Sequence, residues 1–131
     1  MNEAKQTLYG LLGSYGVTGV FLFTAMFLGH KGRVGAHIFT IVLFLVGFGV
    51  TLFFAERMDH FYKFDARAMA VHMPLAYTGT LAALLPVTTG LLHWRKKAPL
   101  VAHRVAIAVF MLAFVAASAT GGYMVTTGVA K

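Results

Sequence analysis

Four stretches of this sequence lack charged side chains for the length of a membrane crossing. Residues 8–29, 34–55 and 68–94 contain no Asp, Glu, Lys or Arg, and between residues 100 and 128 only Arg104 intervenes. A hydrocarbon core of roughly 30 Å takes about 20 helical residues to cross. Within lipid, a single segment satisfies its own backbone N–H and C=O groups only as a helix. The expected fold is therefore all-α: a membrane four-helix antiparallel bundle forming one domain, with spans at about 8–29, 34–55, 68–94 and 100–128. Composition agrees, with 59% hydrophobic and 11% charged residues in 131, against roughly 45–50% and 25% in soluble domains. One soluble core of this size could not hide that much apolar surface. The first stretch is too long for a signal-peptide core and lacks a cleavage pattern, so it is read as a retained helix.

Short links around His30 to Arg33 and Arg95 to Pro99 place consecutive helices side by side. The middle link, Glu56 to Arg67, alternates aromatics with charges, and Met58, Phe61 and Tyr62 have i, i+3, i+4 spacing. It reads equally as a short interfacial helix or as a loop. The membrane face with the two short links carries Lys31, Arg33, Arg95, Lys96, Lys97 and Arg104 and no acid. The other face, with both termini and the middle link, carries Lys5, Arg57, Lys63, Arg67, Lys131 and all four acids. Counting Lys and Arg alone puts the short links in the cytoplasm and both termini outside it; a bacterial inner membrane is the expected location. The net charge of +7 thus belongs to membrane interfaces and not to nucleic acid. Gly10, Gly13, Gly16 and Gly19 form a ladder on the first helix, a pattern that lets membrane helices approach closely, inside the bundle or against a partner protein.

With no cysteine, disulfides, thiolate metal sites and covalent haem attachment are excluded. Histidine is what remains for cofactor chemistry. His37, His72 and His103 each lie just inside the start of a helix, four to six residues after a basic residue (Arg33, Arg67 and Lys97). Helices two and four start on the same face, which puts His37 and His103 at one depth and His72 at the opposite depth. A polar side chain in a membrane is costly and faces the interior with a partner. Two imidazoles at equal depth suit the iron of a six-coordinate haem b, each offering one ring nitrogen while the other bonds a backbone carbonyl. The carbonyls expected for this are those of Arg33 and Pro99, one turn back. Arg33 and Arg104 are candidate partners for haem propionates. His93, followed by Trp94 and Arg95, reads as an interfacial anchor, and His30 and His60 as exposed polar residues.

The segments His72-Met-Pro-Leu-Ala-Tyr-Thr-Gly-Thr-Leu, Thr-Gly90-Leu-Leu-His-Trp-Arg95 and Pro99-Leu-Val-Ala-His103-Arg-Val, with Gly32-Arg-Val-Gly-Ala-His37, resemble cytochrome b561-like membrane proteins. The resemblance covers helices two to four, about two thirds of the chain. It implies a helical bundle that holds b haems through histidines on alternate helices and passes electrons between ascorbate, quinol or partner proteins. His37 and His103 match one such pair. His72 matches a histidine that would normally pair with one on a further helix, and this chain has no fifth helix; Tyr123 and Met124 stand at that end of helix four. The expectation is one haem b from this chain, with a second through His72 requiring His60, Met73, Met124 or a neighbouring subunit of a homo-oligomer.

The leading functional expectation is an electron-transfer subunit, not a stand-alone enzyme, serving a larger membrane redox complex with a quinone or c-type cytochrome as partner. Two other readings are a cofactor-free structural subunit of a respiratory or photosynthetic complex, and a copper or haem-oxidase assembly protein. Nucleophilic catalysis and phosphate-binding loops have no residues to carry them, and the H-x-x-H-H spacing of di-iron membrane enzymes is absent.

Overall fold

The computed structural model describes residues 2–131. The chain is all-α, with four helices among the described residues long and apolar enough to cross a membrane: Glu3–His30, Val34–Phe61, Ala66–Trp94 and Leu100–Thr127. The first, second and fourth are α1, α2 and α5, each of 28 residues. The third is broken into α3, Ala66–Ala82, and α4, Leu84–Trp94. The break has a local cause. Pro86 has no N–H to give the carbonyl of Ala82, four residues earlier, and its ring crowds that carbonyl.

The residues divide into two compact units, Met1–Lys63 with Ala130–Lys131, and Phe64–Val129. In the first unit α1 and α2 fold back on each other. A methyl group added at Gly10 would meet the Phe54 ring at 2.5 Å, one at Gly47 would meet Thr18 Oγ1 at 2.7 Å, and one at Gly29 would meet the His37 ring at 3.1 Å. Lipid is as apolar as leucine, so such close approach, and not hydrophobic exclusion, holds membrane helices together. At mid-height Thr51 spends its hydroxyl proton on the Gly47 carbonyl (2.9 Å), so the Thr18 hydroxyl donates to Thr51 Oγ1 at 3.3 Å. In the second unit α5 pairs with α3 and α4 in the same way. Gly79 lies on Ala113 and Ala117, Gly121 on His72, and Gly90 on His103. Large apolar side chains elsewhere face outward, as lipid-facing residues should: Phe23 is 63% and Leu112 75% exposed.

Two features differ from the sequence reading. The middle link is not a separate helix. α2 runs on to Phe61 because Met58 continues the buried seam of Phe44 and Thr51, leaving only β1, Tyr62–Lys63, and two residues before α3. The other two-residue strand, β2, is Val129–Ala130, and in the first unit the Lys131 N–H donates to the Phe61 carbonyl at 2.9 Å. The glycine ladder of α1 is used only at Gly10, and Gly13, Gly16 and Gly19 meet nothing within 4 Å. Three-residue steps rotate about 60° short of a full turn on a helix of 3.6 residues per turn, so the ladder winds away from the α2 seam.

Both short links begin with the same chain reversal. After α1, the Arg33 N–H donates to the Leu28 carbonyl and the Gly32 N–H to Gly29, with Gly32 at φ +69°. After α4, the Lys97 N–H donates to Leu92 and the Lys96 N–H to His93, with Lys96 at φ +58°. This paired bonding is the Schellman motif, whose left-handed position favours glycine. The second link thus puts lysine where the first has glycine.

Candidate functional site

His37 and His103 occupy the same place in their helices. Each is the fourth residue of a 28-residue helix that follows a short link, counted from Val34 and from Leu100. Each sits half-buried against a glycine of the preceding helix, Gly29 and Gly90 respectively. His37 belongs to the first unit and His103, with His72, to the second.

The hydrogen bonds fix which ring nitrogen carries the proton. His37 Nδ1 lies 2.7 Å from the carbonyl oxygen of Ala25 on α1. A carbonyl only accepts, so Nδ1–H donates and the lone pair is on Nε2. His103 Nδ1 lies 3.3 Å from Thr89 Oγ1. The Thr89 hydroxyl proton goes to the Leu85 carbonyl at 2.7 Å, so the hydroxyl accepts from His103 Nδ1–H. His72 repeats this arrangement on Thr120 Oγ1 at 2.9 Å, with the Thr120 proton on the Ala116 carbonyl at 3.0 Å. All three imidazoles are therefore held in the Nδ1–H form.

The acceptors lie on neighbouring helices and not one turn back, as expected from the sequence. Arg33 O is already taken by the His37 backbone N–H at 2.9 Å, and Pro99 O accepts from the Ala102 N–H at 3.1 Å. The glycines decide the outcome, because their missing side chains let each ring lean onto the next helix. Thr89-Gly90 and Thr120-Gly121 are two copies of one device, in which threonine receives the ring proton and glycine makes room for the ring. Gly29 with Ala25, four residues apart on one face of α1, performs both tasks for His37. Thr89-Gly90 opens one of the segments quoted for the resemblance, but nothing in the sequence marked it, Thr120-Gly121 or Ala25 and Gly29 as histidine partners, since Thr-Gly pairs are frequent. Only their place opposite a histidine gives them meaning.

His93 is used differently. Its Nδ1–H donates to the Ala98 carbonyl at 3.0 Å and closes the link after α4. His30 and His60 are exposed, as are Arg33 and Arg104; Arg33 is the N-cap residue of α2. Among the described residues, no three His, Cys, Asp or Glu side chains gather into a metal-binding group. No family model, curated protein or solved structure matches the chain.

The threonine acceptors lead to a prediction that needs no cofactor. Thr89→Val keeps the shape of residue 89 and removes its acceptor. In ¹⁵N spectra of the histidine rings, His103 is expected to shift from the Nδ1–H form toward the Nε2–H form, with His37 unchanged. The stability cost should be about 1 kcal/mol, the range of interhelical hydrogen bonds in membranes. An unaltered His103 ring would contradict the assigned acceptor.

Proposed function

We propose that the chain is a membrane b-type cytochrome subunit that binds haem b through His37 and His103 and relays electrons for a larger redox complex. The observation that carries this reading is the protonation pattern. Membrane-helix histidines whose Nδ1–H groups are pinned to fixed acceptors present the Nε2 lone pair, the form in which a neutral imidazole ligates iron. The equal position of His37 and His103 in their helices supports choosing these two, as does the resemblance of their segments to cytochrome b561-like proteins. His93, whose Nδ1–H is held by the Ala98 carbonyl in the same way, is left out because it lies at the end of α4 beside the link and not at the fourth position of a long helix.

Haem b would supply a one-electron Fe(III)/Fe(II) couple. The chain's own residues would do the rest. Ala25 and Thr89 hold the imidazoles in orientation, Gly29 and Gly90 leave room for the rings, and the apolar helix faces keep water from the iron. Arg33 and Arg104 are the cations closest in sequence to the two ligands, and we assign them to the propionates. His72, seated on Thr120 and Gly121, is the candidate ligand of a second haem. The partner at the substrate end of the reaction would be a quinone pool, a c-type cytochrome or a catalytic subunit, in a bacterial inner membrane.

Reduced-minus-oxidised difference spectra of the detergent-purified protein test this reading. A low-spin b-type spectrum is expected. Copper without haem in the same sample would support the assembly-protein reading, and neither would support the structural-subunit reading.

A further inference from the structure

The link between α4 and α5 forms a shallow, open surface groove lined by His93, Lys96, Lys97, Ala98 and Pro99. We infer that this groove binds the phosphate of an anionic phospholipid headgroup. The inference is independent of the haem reading.

Three observations bring it together. First, Arg95, Lys96 and Lys97 are consecutive and exposed, and no Asp or Glu follows Asp65 in the sequence. The cluster therefore has no neutralising side chain in its own or the following helix. Second, the backbone holds the cluster in a fixed shape. Lys96 takes the left-handed conformation at φ +58°, the Lys97 N–H is bonded to Leu92 at 2.8 Å, and the His93 ring spans the link to Ala98 at 3.0 Å. Lys96 and Lys97, both exposed, line the same shallow concavity. Third, the groove lies where two membrane-crossing helices, Ala66–Trp94 and Leu100–Thr127, are joined. That is the headgroup layer, where lipid phosphates are the most abundant anions. A basic residue near such a surface is worth about 1 kcal/mol, or about fivefold in binding.

The experiment uses the whole chain in nanodiscs of phosphatidylcholine containing a small fraction of phosphatidylglycerol, with the lipids retained after detergent extraction counted by native mass spectrometry. Phosphatidylglycerol is expected to be enriched over phosphatidylcholine. Lys96→Gln with Lys97→Gln should lower that enrichment by about twenty-five-fold. The matching pair in the other short link, Lys31→Gln with Arg33→Gln, carries the same diffuse attraction without lining this concavity and should lower it by clearly less. Lys96→Gly keeps the link geometry while removing one charge, and about a fivefold loss is expected. Circular dichroism confirms helix content in each variant. Equal retention of both lipids would overturn the inference. So would equal losses from the two link pairs, which would mean only diffuse attraction, or displacement of the lipid by millimolar inorganic phosphate, which would mean a site for the free ion.

Discussion

Replacing His37 or His103 by alanine is expected to abolish the low-spin b-type absorbance of the purified protein, whereas His93→Ala leaves it in place. The reasoning is one of ligand number. A bis-histidine iron that loses one imidazole no longer has the two strong axial nitrogens that make it low-spin. Two variants with the same outcome, one from each unit, would assign one iron to the pair. His93 is the informative control, since its ring donates to Ala98 and closes a link, so its loss should affect the link and not the spectrum. Loss of signal from His93→Ala with retention in His103→Ala would reverse the assignment.

The second large effect is expected from Gly90→Leu. Even a single carbon added at residue 90 would lie 2.9 Å from His103 Cε1, and a leucine occupies the space of the ring itself. The imidazole must leave Thr89, and the overpacked α4–α5 contact should cost about 1–3 kcal/mol. The low-spin signal should then disappear while the helical circular dichroism remains. Gly13→Leu provides the contrast. Beyond its own stretch of helix backbone, nothing lies within 4 Å of a side-chain carbon at Gly13, so the spectrum should not change. If Gly90→Leu kept a wild-type spectrum, His103 would not need the seat described here.

These two glycines also show how far the sequence could be read. Hydropathy located the four spans because the cost of burying charge in lipid is large and local. It misplaced the ends of α1 and α2 for the same reason. Glu3, Lys5, Glu56, Arg57 and Asp59 interrupt an uncharged run, but a helix continues through the headgroup layer, where charges are solvated. The break at Ala83 had a signal in Pro86, four residues beyond the last residue of α3. The hydrogen-bond partners of the histidines had none. They depend on which residue of one helix faces which residue of the next, a register served by Gly10, Gly29 and Gly47 in the first unit and by Gly90 and Gly121 in the second. The ladder of Gly10 to Gly19, prominent in the sequence, contributes one contact within the chain, whereas Gly29, Gly90 and Gly121 make the three histidine seats.

The account stands most directly on one measurement, the haem content of the folded protein. Pyridine haemochrome spectra read against protein concentration by amino-acid analysis, on material expressed with haem supplied and shown to be helical, should give one protohaem per chain. A value of two would mean that His72 also serves as a ligand. Well-folded protein carrying no protohaem would contradict the cytochrome reading outright.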